Sequence, residues 1–354
     1  MLHPALTDVF SKLSMLPDDN SLEIEFCDTL NRITSFVDED DRTIIQFDLS
    51  GAESICLFYF ALRDGYLSDY IEYLFYLIAT EQAFICGKYS IADHFSKSLK
   101  TSYAKVNDLF TSHRQTLDWK VVLIIHIFIY THEFGHYLCS KKCEYISTAD
   151  KLITFLKIEA EKYLDEKGDG KEIANTCMDA PNMGEELICD YQAAVASKAF
   201  SDALSLDINI ELITYILEAQ GLISYITLIS QLIVHSGKIQ NVNTYDFYYV
   251  KLRSLFLNSY LGILCSVYKD AGIKSSKSDI DISTINNTYS RLVNNLLEQN
   301  KEIIAKLTAK DISAIKDNNK TITKAGKEQI LNTLKEHITL FDTDENGYEF
   351  LGQL

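Results

Sequence analysis

Residues 119–140 read WKVVLIIHIFIYTHEFGHYLCS, a stretch with no proline and no glycine before Gly135. Its apolar run, 121–130, is bulky on every side, which is the composition of a helix buried all round. That run leads without a break into His132-Glu133-Phe134-Gly135-His136. On a helix, residues four apart stack one turn above the other, so the two histidines share a face. His126, six residues before His132, turns to nearly the opposite side and reads as a core histidine.

The chain as a whole has 354 residues, only 3 prolines and 14 glycines, and is 47% hydrophobic. It can bury a large core, and long runs of Leu, Ile, Ala, Lys and Glu favour helices over turn-rich sheets. The expected fold is mainly α, with a small β element at RTIIQFDLSG (42–51), where β-branched residues end at a Ser-Gly stop. Helices are expected from Ala52 to Leu138, broken at Gly65, at Gly87 and in the polar stretch 96–102. Residues 141–184 are densely charged and read as an exposed excursion. Two long helical segments (185–200 and 208–234) and a tyrosine-rich segment follow. Beyond a polar linker near residue 275 come Asn- and Lys-rich amphipathic helices, giving a domain at 1–275 and a helical C-terminal region at 276–354.

The net charge of -17 speaks against nucleic acid, whose phosphates need clustered Lys and Arg; a protein partner is expected. The apolar stretches 70–87, 121–130 and 221–234 are too short or too interrupted for a membrane span. Eight cysteines scattered in apolar runs read as reduced packing groups, and Cys139 with Cys143 lacks the second pair that a zinc knuckle needs. With no secretory signal pattern at the start, the expected location is cytoplasmic. At the other end, Asp342 to Gly347 resembles the start of a calcium loop, but the twelfth position is Gln353 rather than a bidentate Glu. An acidic turn is expected there.

Two imidazoles on one helical face suit zinc (Zn2+), which takes histidine and carboxylate ligands and leaves a position open for water. Glu133, next to the first imidazole, is placed to act as general base on that water. A third ligand is expected from the segment beginning Glu185-Glu186, where Glu186 and Asp190 lie one turn apart. Glu186 is the preferred ligand, with Asp190 accepting a hydrogen bond from a ligand histidine. Glu185 is the rival ligand, but Cys189 stands one turn after it. Small Ala193, Ala194 and Ala196 let this helix come close to the first.

His-Glu-x-x-His followed by Glu-x-x-x-Asp resembles the gluzincin group of metallopeptidases, which includes thermolysin and the CAAX-type proteases. The resemblance implies a zincin-like helical core with His132, His136 and Glu186 as ligands, Glu133 as base and Asp190 behind a ligand. It covers two short blocks, and the spacer between His136 and Glu186 is longer than thermolysin's. Among cytoplasmic bacterial relatives the chain looks most like the Lit-type phage-exclusion peptidases, which implies a zinc endopeptidase acting on an intracellular protein. The alternative is a zinc-stabilised binding module that has lost catalysis. Gluzincins also pair substrate backbone with an edge strand, expected here at 43–50. Arg253, Tyr248, Tyr249 and His235 are candidates to stabilise the oxyanion. Of these, Arg253 ends a stretch, TYDFYYVKLR, that faintly resembles the His-Pro...Arg element of some relatives but lacks the His-Pro.

Overall fold

The computed structural model describes residues 22–27, 32, 34–39, 42–115, 118–141, 146–163, 169–180, 182–203, 211–236, 252–253, 256–257, 282–316 and 322–337. Among these the chain is mostly helical with one three-stranded sheet, as its composition leads one to expect. The strands are β1 (Leu22–Cys27), β2 (Ser35–Glu39) and β3 (Arg42–Asp48). They lie in the order β1-β3-β2, with β1 parallel to β3 and β2 antiparallel to it. Ile45, opposite Ile24 and Phe36, is fully buried, as is Phe47. The strand expected at the edge, β3, is therefore the central one, because it pairs on both sides. Among the described residues β2 is an edge strand.

Asp48 ends β3 and also begins α1 (Leu49–Asp64), its side chain accepting the Gly51 N–H at 2.6 Å. Ser50 and Gly51 thus open a helix instead of stopping a strand. The capping carboxylate satisfies an N–H that the first turn would leave free. Gly51 serves packing: a Cβ there would collide with the Arg32 carbonyl oxygen. Arg32 itself has φ +53, in the left-handed region, and its buried guanidinium forks onto Glu81 at 2.5 and 2.6 Å. That pairing accounts for a carboxylate in the middle of the apolar helix α2 (Leu67–Ile85).

Gly65 and Gly87, with φ of 82 and 67, end α1 and the turn after α2. The break expected at 96–102 does not occur. Helix α3 runs through it, Tyr89–Gln115, with Ser96 and Ser102 donating to the helix's own carbonyls at Asp93 and Leu99. Helix α4 (Trp119–Lys141) carries the stretch quoted at the outset. Its segment Lys120–Ser140 is long and apolar enough to cross a membrane, but 78% of its apolar window is buried within the fold. It packs against α1, β2, β3, α7 and α8, so its hydrophobicity is used on all sides by protein. His126 is fully buried on it, its Nδ1 2.7 Å from the Val122 carbonyl and its ring stacked on Phe47.

The excursion contains α5 (Ile146–Tyr163) and α6 (Asp169–Met178). It is not exposed throughout: α5 packs on α7, and Leu156, Cys177 and Met178 are buried. Then come α7 (Met183–Ala203) and α8 (Glu211–Ser236), followed by buried helical positions at Leu252, Arg253, Phe256 and Leu257. Helices α9 (Ile282–Lys316) and α10 (Lys324–Lys335) complete the described chain. Asn300 on α9 meets His94 Nε2 at 3.0 Å and Tyr76 at 3.4 Å, tying α9 to α3 and α2. The boundary near 275, Cys143, and the acidic turn at 342–347 lie outside the described residues.

Candidate metal centre

Helices α4 and α7 pack side by side, and small residues make this possible. Gly135 faces Cys189: a Cβ on Gly135 would be 2.9 Å from the Cys189 Sγ and 3.1 Å from its Cα. Ala193 and Ala194 are buried further along α7. The glycine, which costs helix stability in isolation, buys the approach that brings the two sets of side chains together.

His132, His136 and Glu186 form a group whose ligand atoms lie within 4.8 Å of one another, a set that can hold a metal ion. The Glu186 carboxylate lies between the rings, with Oε2 3.4 Å from His132 Nε2 and Oε1 3.7 Å from His136 Nε2. A tetrahedral ion with bonds of about 2.1 Å needs donors roughly 3.4 Å apart, so these separations fit with little adjustment. Of the two neighbouring glutamates, the preferred Glu186 is the one that faces Nε2 of both imidazoles. It lies in the first turn of α7, where the helix dipole favours a negative charge.

The second nitrogen of each ring also meets a carboxylate. Asp190 Oδ1 lies 2.9 Å from His132 Nδ1, although the N–H direction is off line with that contact. Glu185 Oε1 lies 2.7 Å from His136 Nδ1. Glu185, the rival ligand, thus stands behind a histidine. Phe36 of β2 stacks against the other side of the His136 ring, with centroids 6.5 Å apart.

Arg253 completes the buried cluster. Its Nε and Nη2 donate to the two Asp190 oxygens at 2.8 and 2.7 Å, and Nη1 lies 2.7 Å from Glu186 Oε2. Sequence spacing could offer Arg253 only as an oxyanion partner. The structure commits its N–H groups to the carboxylates that face His132. The side chains of Tyr248, Tyr249 and His235 lie outside the described residues.

These contacts set the protonation of the site. Burial raises Glu133, which His132 and His136 pull back down only in part, leaving it above the ordinary carboxylate value. Burial would lower His132, but Asp190 and Glu186 overcome it and hold the imidazole at about 10. Burial likewise opposes ionisation of Glu186 and Asp190, and Arg253 more than reverses it, holding both carboxyls low. The charges of the cluster balance one another, and a divalent cation could take over the proton's part.

The cluster opens into a cleft of about 360 Å3, within the usual range for ligand sites. Residues 32 and 34–36 around β2, Gln220, Ile223 and Ser224 of α8, and the clustered Glu133, His132, His136, Glu186 and Arg253 line it. Comparison of the chain with protein-family models, curated proteins and solved structures finds no match.

Proposed function

We propose that this chain is a zinc-dependent endopeptidase of the gluzincin type, acting on an intracellular protein as the Lit-type resemblance implies. The observation that carries the reading is the meeting of His132, His136 and Glu186 from two helices in the lining of a cleft that also contains Glu133. When bound, zinc would acidify a water and polarise the scissile carbonyl.

The chain's own residues account for the remaining work. Glu133, held above the ordinary carboxylate value, takes a proton from the attacking water and returns it to the leaving amine nitrogen. Glu185 holds the His136 ring through Nδ1, with Nε2 turned to the centre, and Asp190 stands beside Nδ1 of His132. Arg253 keeps Asp190 ionised and in place. The edge of β2, unpaired among the described residues and carrying Ser35 and Phe36 to the cleft, would offer backbone groups to an extended substrate, the part expected of β3.

The test compares wild type with Glu133→Gln by metal analysis and by mapping new protein N-termini in cell extract. Equal zinc in both proteins, with new N-termini only for wild type, is the expected result. Identical N-terminal maps in the presence of bound zinc would favour the non-catalytic module.

A further inference from the structure

The helices that carry the metal-site residues also carry two cysteines with no part in the reaction above. Cys139 comes three residues after His136 on α4, and Cys189 three after Glu186 on α7. They meet where the two helices are in direct contact. Cys189 lies against Gly135, and Cys139 stands one turn beyond Gly135 on the same face. Each thiol is the largest influence on the other's protonation, lowering Cys139 and raising Cys189. Cys189 is buried, whereas Cys139 is only partly so, so one member of the pair can meet a solvent-borne oxidant and the other is shielded behind it.

We propose that Cys139 and Cys189 form a reversible dithiol–disulfide couple, closed by a hydroperoxide, that staples α4 to α7 beside the candidate metal centre. The Cys139 thiolate attacks one oxygen of hydrogen peroxide, breaking the O–O bond to give a sulfenic acid and, with a proton, water. The Cys189 sulfur then attacks the sulfenic sulfur, forming the S–S bond and expelling the oxygen as a second water. Two thiols are oxidised by two electrons and one peroxide is reduced to two waters; a thiol reductant reverses the change. The order of attack follows from access. Cys139 is the partly exposed member, open to the peroxide, and Cys189 the buried one that resolves the sulfenic acid. Neither the couple nor its test needs bound zinc or peptidase activity.

The full-length protein is treated with hydrogen peroxide, denatured in alkylating reagent, digested without reduction and mapped by mass spectrometry. A peptide pair joining Cys139 to Cys189 is expected, lost on addition of dithiothreitol and absent from Cys139→Ser. The oxidised wild type should also melt about 5 °C higher than the reduced protein, because a bridge across that loop restricts the unfolded chain. In Cys189→Ala the Cys139 sulfenic acid should persist and be trapped by dimedone. The proposal is overturned if Cys139 appears as a sulfinic acid or bonded to Cys143 while Cys189 is still alkylated. A crosslinked form that melts no higher than the reduced one would overturn the staple.

Discussion

Glu185 Oε1 lies 2.7 Å from Nδ1 of His136, while the Nε2 of the same ring faces Glu186 across 3.7 Å. Two consecutive glutamates thus serve opposite sides of one imidazole. They can do so because α7 begins beside α4 with both residues in its first turn, where successive side chains diverge by about 100°. His132 shows the same arrangement with Glu186 and Asp190.

This relationship ranks the acidic residues of the site. Glu186→Gln should lose zinc most severely, since it replaces the charged ligand. Asp190→Asn should weaken it by roughly 10- to 100-fold, the usual scale for a carboxylate behind a ligand histidine. Glu185→Gln should cost about 3- to 10-fold, less because its side chain is 45% exposed. Chelator competition on the purified variants checks the order. A Glu185→Gln protein as tight as wild type would return Glu185 to a solvated helix start.

Metal stoichiometry follows from the single His/His/Glu group found among the described residues. About one zinc per chain is expected, and His132→Ala with His136→Ala should abolish tight binding. Full zinc content in the double variant would place the ion elsewhere.

Gly135→Ala should destabilise the protein by about 1–3 kcal/mol despite the better helix propensity of alanine. The new methyl would meet not only the Cys189 Sγ at 2.9 Å but also its Cα at 3.1 Å, and a backbone atom cannot move without its helix. Zinc affinity should fall with stability, because the same separation of α4 from α7 parts the ligands. Denaturant midpoints with and without zinc measure both effects; an unchanged midpoint would mean that the helices are free to shift.

Acid sensitivity should come partly from two buried histidines. Burial lowers both His126 and His337 to about 4, with Lys100 adding to the effect at His337. Each binds its proton more weakly folded than unfolded, so its stabilisation is complete above the unfolded value near 6.5 and is lost as pH falls towards 4. The loss is on the order of 3 kcal/mol for each. Denaturant midpoints measured from pH 7 to pH 4 should fall less steeply in His126→Leu and His337→Phe than in wild type. Parallel slopes would assign the acid transition to carboxylates instead.

What the sequence determined by itself was the local part of this protein. The i,i+4 spacings of His132 with His136 and of Glu186 with Asp190 follow from helix geometry, as does the buried character of α4. The glycine stops at Gly65 and Gly87 follow from backbone sterics. The tertiary structure decided everything that depends on which distant surfaces meet. It placed β3 at the centre of the sheet and β2 at the cleft. It turned Glu185 behind His136, brought Arg253 onto Asp190, and set Cys189 against Gly135. It also joined Arg32 to Glu81 across much of the N-terminal half. None of these contacts has a sequence period, because each is made between elements whose separation along the chain is unrelated to their separation in space. A helix repeats its geometry every turn, whereas a packing partner is selected only when the whole core closes.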